Sequence, residues 1–98
     1  MNCASYDDFF KNFANKTKFR IIMYLKSKPM SVNELSEKMG EEQSKISHNL
    51  AKLAMCSVLI VKQQGKKRIY SLNKDTVIPM LKLVEKHVEK YCDMRCKK

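Results

Sequence analysis

A single glycine, Gly40, separates two short amphipathic segments in the centre of the chain. Residues 32–39 and 42–55 each repeat apolar side chains at the three- and four-residue spacing of an α-helix. Gly40 follows the last periodic residue of the first segment and can take the left-handed conformation that turns the chain sharply. Two short helices joined by such a turn predict a helix-turn-helix over residues 32–55.

A capping box marks the start of this unit. In the stretch from Ser31 to Glu34, the serine and glutamate side chains at the two ends can each satisfy a free backbone amide. The third helix of the chain is therefore predicted over residues 32–39. The fourth is predicted from about Glu42 to Met55, with Ile46, Leu50 and Leu53 on its buried face.

Two further helices are predicted before the capping box. Three phenylalanines recur at helical spacing between Tyr6 and Ala14. Asn15 can cap a second helix that runs to about Ser27 and ends before Pro29.

After Cys56 the apolar pattern changes from helical to extended. Residues 58–61 are apolar and mostly β-branched, and residues 68–72 alternate with period two. The intervening residues 62–67 contain Gly65 and three lysines. The pattern predicts a β-hairpin with a basic tip over residues 58–72.

A long final helix is predicted from Asp75 to about Cys96. Its apolar positions recur close to a heptad seam, which on a terminal helix usually packs against a partner. These positions are Val77, Leu81, Val84, Val88 and Tyr91 or Cys92. The predicted fold class is mainly α with a small β-hairpin wing (α+β). This is a winged helix-turn-helix of order α-α-α-α-β-β-α, and residues 1–98 form a single domain.

The charge of the chain indicates an anionic partner. Twenty Lys and Arg against ten Asp and Glu leave a net charge of +10 on 98 residues, which favours nucleic acid first and a membrane surface second. The chain contains no run of about 18 apolar residues, so no membrane span is predicted. The first ten residues do not resemble a secretory signal, so a cytoplasmic protein is expected. No spacing of residues indicates a catalytic site or a small-molecule substrate, and we do not expect an enzyme.

The polar face of the fourth helix is suited to the major groove of double-stranded DNA, because its side chains are small or polar enough to approach base edges. Lysines on the hairpin can reach flanking phosphates. The predicted DNA-binding residues are Gln43, Ser44, Lys45, Ser47, His48 and Lys52 on the helix, with Lys62, Lys66, Lys67 and Arg68 on the wing.

Residues 10–72 resemble the ArsR/SmtB family of small winged-helix repressors. The stretch from Ala14 to Ile22 is similar to the family's Ala-Asp-Pro-Thr-Arg-Leu-Arg-Ile-Leu segment. The stretch from Gln43 to Leu50 resembles its Gln-Ser-Thr-Val-Ser-Arg-His-Leu recognition helix. Gly65 with Tyr70-Ser71-Leu72 matches the wing and its closing Tyr-Ser-Leu.

The resemblance implies a homodimer held by its first and last helices, here residues 1–14 and 74–96. It also implies two recognition helices that enter successive major grooves, and repression of a promoter. A two-fold symmetric dimer would read an imperfect palindrome.

The chain departs from the family at its metal sites. The family's Cys-Val-Cys motif has no counterpart, since residues 30–35 contain no cysteine. The zinc site of the last helix is also missing, because counting from Asp75 places Val77, Val88 and Tyr91 at the remaining ligand positions. Ser57 stands where the family usually has a glycine, and a left-handed conformation there would cost roughly 1 kcal/mol.

Three cysteines form the remaining candidate sensor. Cys92 and Cys96 are four residues apart, on one face of the predicted last helix, and can bind one soft metal ion together with Cys3 or a group of a partner subunit. The same thiols can instead form a redox-switched bridge, or Cys92 can simply pack in the helix seam. A thiolate-bound metal ion is the only cofactor that these residues indicate. Cys56 is expected only to pack in the core.

Two other kinds of function fit the same fold. A winged helix can grip an acidic protein, or it can bind RNA. We favour double-stranded DNA because a protein-binding winged helix more often exposes an apolar patch at the recognition surface.

Overall fold

The computed structural model describes residues 5–92, which form five helices and one two-stranded antiparallel sheet. The elements are α1 (Tyr6–Ala14), α2 (Lys16–Ser27), α3 (Val32–Met39), α4 (Gln43–Met55), β1 (Leu59–Gln64), β2 (Lys67–Leu72) and α5 (Val77–Tyr91). This order confirms the predicted α-α-α-α-β-β-α arrangement.

Side-chain caps start the first three helices. The Asp8 N–H donates to Ser5 Oγ at 3.2 Å, and the Lys18 N–H donates to Asn15 Oδ1 at 3.0 Å. At α3 the predicted capping box is complete, since Ser31 and Glu34 each accept from the other's backbone amide, at 3.3 and 3.1 Å. The polar residues that the sequence placed at these helix starts therefore act as caps.

Gly40 ends α3 in the left-handed conformation, with a φ of 68°. Its N–H donates to the Ser36 carbonyl oxygen at 2.9 Å, which satisfies an acceptor at the end of the helix. The chain then turns and enters α4 after two intervening residues. This confirms the helix-turn-helix geometry that Gly40 predicted.

The wing is a tighter hairpin than the sequence suggested. The strands pair from Leu59 opposite Leu72 to Gln64 opposite Lys67, which leaves only Gly65 and Lys66 in the turn. Gly65 has a φ of 63°, as the first central residue of a two-residue hairpin turn often requires. The prediction that residues 62–67 form the tip is wrong, because backbone pairing continues through residue 64 on β1 and from residue 67 on β2.

A short bridge joins the wing to the helix-turn-helix. The Met30 N–H donates to the Tyr70 carbonyl oxygen at 3.0 Å, and the Tyr70 N–H donates to the Met30 carbonyl oxygen at 2.8 Å. Met30 immediately precedes the capping box, and both bridge residues are buried. The start of α3 and the strand β2 are therefore held against each other.

The core is built mainly from α2 and α4, with residues of α3, the wing and α5 packed around them. Its eight largest fully buried side chains are Ile21, Ile22, Leu35, Ile46, Leu50, Leu53, Val58 and Val77. The buried face predicted for α4 is confirmed, since Ile46, Leu50 and Leu53 are all fully buried.

The last helix divides into two halves. α5 begins at Val77 rather than Asp75, because Asp75 lies in a turn in which its N–H donates to Asn73 Oδ1 at 2.9 Å. Val77 and Leu81 pack into the core of the monomer. The prediction that the whole apolar seam faces a partner is therefore wrong for its first half. None of the helices in residues 5–92 is both long and apolar enough to cross a membrane.

Candidate nucleic-acid interface

The outer face of α4 carries five of the predicted DNA-binding residues close together. Gln43, Ser44, Lys45, Ser47 and His48 are all exposed, and Lys52 is exposed further along the same helix. Because the opposite face is buried in the core, α4 is fixed in one rotation and presents this polar set outward. Such a face can approach the edges of bases in a major groove.

The wing presents a second group of exposed charges. Lys62, Lys66, Lys67 and Arg68 are all exposed on the hairpin. From residue 43 to residue 74 the chain contains no Asp or Glu, so α4 and the wing form one continuous acid-free segment. The resulting positive field favours polyanions such as nucleic acid.

A groove of about 510 Å³ lies between α4, the start of α3 and the wing. The structure brings four of the predicted residues to it, namely Ser47, Lys66, Lys67 and Arg68. Ser31, Asn33 and Gln63 also line this groove, although sequence reasoning did not select them. The capping box could have indicated the first two, since it locates the start of α3, but their proximity to the wing depends on the long-range Met30–Tyr70 bridge.

Lys62 lies apart from this groove. It lines a different concave surface of about 530 Å³ with Pro29, Ile60 and Lys74. The predicted wing residues therefore do not all face the same way, and Lys62 is the member that the structure separates from Ser47.

Two charged contacts flank the exposed face of α4. Lys45 Nζ lies 3.1 Å from Glu41 Oε1, and Glu41 Oε2 lies 3.7 Å from Arg20 Nη1. On the α2 side, partial burial lowers the pKa of Lys18, and the nearby positive charge of Lys52 lowers it further. Glu41 and Lys18 are neighbours of the candidate interface that the sequence pattern did not reveal, because the contact of Glu41 with Arg20 and the proximity of Lys18 to Lys52 arise only when α2 packs against the helix-turn-helix.

Comparison with known proteins agrees with this geometry. The sequence model of the family described as "Bacterial regulatory protein, arsR family" matches residues 15–56, from the cap of α2 to the end of α4. The chain is also 31% identical over 80 residues to the uncharacterized HTH-type transcriptional regulator Rv0081 of Mycobacterium tuberculosis. That alignment covers 81% of this chain and 70% of the relative. The chain belongs to the arsR family of bacterial regulatory proteins.

Another relative is aligned over a smaller share of its own length. The HTH-type transcriptional regulator KmtR of Mycobacterium tuberculosis is 31% identical over 70 residues, which are 71% of this chain but only 54% of KmtR. The match thus spans about half the length of that relative.

Solved structures confirm the winged helix-turn-helix fold. The crystal structure of Mycobacterium tuberculosis Rv0081 superposes with a TM-score of 0.79 at 28% identity, over 91% of this chain and 90% of the other. Mb0332 of Mycobacterium bovis is described as a homodimeric winged helix-turn-helix DNA-binding domain. It superposes with a TM-score of 0.75 at 20% identity, over 84% and 76% of the two chains.

The candidate sensor cysteines of this arsR-family chain are described only in part. Cys3 and Cys96 lie outside residues 5–92. Cys92 is half-buried at the C-terminal end of α5. Within residues 5–92, no three His, Cys, Asp or Glu side chains cluster in a way that could hold a metal ion.

Cys56 differs from its expected role. It is half-buried at the C-terminal end of α4, in contact with the core, and it is disulfide-bonded. The predicted packing against the core is confirmed, whereas the expectation that this thiol does not react is wrong. Because Cys56 lies at the end of α4, its side chain is only half-buried and one side of it stays accessible. A residue in the middle of the buried face of the helix would be enclosed.

Proposed function

We propose that this chain is a DNA-binding transcriptional regulator that represses a promoter by binding an imperfect palindrome as a homodimer. The observation that carries the proposal is the groove at which Ser47 on the polar face of α4 meets Lys66, Lys67 and Arg68 of the wing, within a segment, residues 43–74, that contains no Asp or Glu. Membership of a family of bacterial regulatory proteins supports it. A regulator of this kind acts in the cytoplasm.

The two parts of the surface have different roles in this proposal. Gln43, Ser44, Lys45, Ser47 and His48 read base edges, because they lie on the exposed face of the helix that the fold fixes in place. Lys52 and the wing residues Lys62, Lys66, Lys67 and Arg68 hold phosphates, because flexible basic side chains favour the charged backbone over one base sequence.

Exposed apolar side chains on α1 and α5 support the homodimer. On α1, Tyr6 is 86% exposed and Phe10 is 56% exposed. On the second half of α5, Leu83 is 67% and Val84 48% exposed. Groups of large apolar side chains on two helices indicate a surface that a partner covers. A second copy of the chain is the partner that a palindromic site requires.

Selection of duplex DNA from a randomised pool of about 30 base pairs tests the central proposal. We expect a palindromic sequence to be enriched, with half-sites separated by about one helical turn of roughly 34 Å, because each subunit places one α4 in a major groove. Enrichment of no sequence would contradict operator-specific binding. Binding to RNA in preference to duplex, or binding to neither, would favour the RNA-binding or protein-binding alternative.

A thiol switch is a further part of the proposal. Cys92 lies beside the exposed Tyr91 at the end of α5, and therefore next to the proposed dimer interface. Once the Cys56 disulfide is reduced, a metal ion at Cys92 and Cys96, with or without Cys3, or an oxidised bridge between two of these cysteines, would change how the two subunits pack and hence the spacing of their recognition helices.

The switch is tested by replacing Cys92 and Cys96 together with serine. The wild-type protein is expected to change its affinity for the selected duplex when zinc or an oxidant is added, and the double variant is expected not to change. Equal responses of the two proteins, or no response of either, would remove the switch.

A further inference from the structure

Glu41 is fixed in the turn between α3 and α4 by its own backbone. Its N–H donates to the Ser36 carbonyl oxygen at 3.3 Å, and its carbonyl oxygen accepts a hydrogen bond from Ser36 Oγ. Both contacts tie the residue to the last turns of α3. The position from which its side chain extends is therefore set by the helix-turn-helix itself.

The Glu41 carboxylate bridges two basic side chains from different helices. Oε1 lies 3.1 Å from Lys45 Nζ in the first turn of α4, and Oε2 lies 3.7 Å from Arg20 Nη1 on α2. The Glu41 side chain is 28% exposed. Among the ion pairs within residues 5–92, the Glu41–Lys45 pair is the only one that involves a side chain on the exposed face of α4.

The contact places a negative charge beside a proposed reader of DNA. Lys45 is the only Lys or Arg in the first two turns of α4, where side chains enter a major groove most deeply. A phosphate that approached Lys45 would also approach the Glu41 carboxylate, and the two anions would repel each other. A base edge offers uncharged acceptor atoms, such as O6 and N7 of guanine, which the carboxylate repels far less.

We propose that Glu41 is a specificity-determining residue of the DNA-binding surface. Its carboxylate holds the Lys45 ammonium and shields it from phosphates, so that Lys45 contributes little to binding of random sequence and engages mainly a base edge. This inference rests on the proposed function, because it requires a protein that distinguishes DNA sequences. Glu41 acts through Lys45 and does not itself contact DNA.

The substitution Glu41→Gln separates charge from shape. Glutamine keeps the size of the side chain and an oxygen that can accept from Lys45, so the placement of α4 is retained while the negative charge is lost. Glu42→Gln is the matched control. It removes the same charge one residue further on, from an exposed side chain that forms no ion pair with any residue in 5–92.

The measurement compares the affinities of the full chain for two duplexes at several salt concentrations. One duplex carries the sequence that the wild-type protein selects from a random pool, and the other carries the same bases scrambled. Relative to Glu42→Gln, we expect Glu41→Gln to bind the scrambled duplex about two- to fivefold more tightly, the factor typical of one exposed ion pair. Its salt slope on that duplex should steepen by up to about one, as for one added phosphate contact. The ratio of the two affinities should fall.

A third variant tests whether the effect passes through Lys45. When Lys45→Gln is combined with each glutamate substitution, the difference between Glu41→Gln and Glu42→Gln should disappear, because no ammonium remains to be released. Thermal unfolding of each variant shows whether the fold is intact.

Several results would overturn the proposal. Equal selectivity of Glu41→Gln and Glu42→Gln, with a selective wild-type protein, would contradict the role of Glu41 and leave the proposed function standing. A difference that persists without Lys45, or a lower melting temperature with equal loss of affinity for both duplexes, would make Glu41 a structural residue. A wild-type protein that selects no sequence would contradict both this role and the proposed function.

Discussion

Ser57 shows at the scale of one residue how this chain ends α4. It has a φ of 57°, which is unfavourable for any residue with a β-carbon. Its N–H donates to the Ala54 carbonyl oxygen, and the N–H of Val58 donates to that of Leu53, each at 3.0 Å. This pair of bonds is a Schellman motif, which needs a left-handed residue at the position of Ser57. The serine thus provides a conformation for which glycine is better suited.

We therefore expect Ser57→Gly to stabilise the protein by about 0.5–1 kcal/mol, because relief of the left-handed strain exceeds the added flexibility of the unfolded chain. Urea denaturation followed by circular dichroism measures the change. Ser57→Ala is the control, since it keeps the β-carbon and should give no gain. Stabilisation by both variants, or by neither, would contradict this explanation.

At the scale of elements, α4 and the wing should contribute differently to DNA binding. We expect Gln43→Ala to weaken binding to the selected duplex by about 1–3 kcal/mol, because the contact with one base pair is lost. Binding to the scrambled duplex should stay nearly unchanged. Lys66→Gln should weaken binding of both duplexes by about the same factor and reduce the salt slope by about one.

Titrations of both duplexes over a series of salt concentrations test this division. Lys86→Gln is the matched control for the wing, because it removes the same charge from an exposed position on α5, outside the candidate interface. A loss for Lys86→Gln equal to that for Lys66→Gln would mean that only net charge matters. Loss of sequence preference in Lys66→Gln would show that the wing also reads bases.

Local signals predicted most of the elements correctly. Ser31 with Glu34 and the position of Gly40 defined α3 and its turn, because caps and left-handed residues act within a few residues of themselves. Features that depend on distant parts of the chain were missed. The Met30–Tyr70 bridge and the contact of Glu41 with Arg20 arise only when the elements pack together.

The candidate site shows the same division. The polar face of α4 followed from helical spacing, and the structure exposes all six residues that were selected on it. Periodicity could not show that Lys62 lies apart from the groove, because the direction of a hairpin side chain depends on the register and twist of its strands. The seam positions of α5 looked equivalent in sequence, yet Val77 is buried and Val84 is 48% exposed.

At the scale of the whole molecule, the exposed apolar side chains of α1 and α5 predict self-association. We expect Leu83→Gln to convert the homodimer to a monomer with little change in the stability of the monomer fold, because the side chain is mostly exposed in the single chain. Sedimentation equilibrium measures the association. Ile60→Gln is the control, since it makes a similar change at an exposed position on the wing. A dimer that survives Leu83→Gln but not Ile60→Gln would place the interface elsewhere.

Fluorescence anisotropy of the selected duplex, titrated with the reduced protein over a series of salt concentrations, tests the central claim most directly. A scrambled duplex and an RNA of the same length serve as competitors. We predict that the selected duplex binds on the order of 10³-fold more tightly than the scrambled one, with two chains per duplex and a steep salt slope. Equal and weak binding to the two duplexes and the RNA would contradict the claim, because the positive charge would then attract any nucleic acid without reading its sequence.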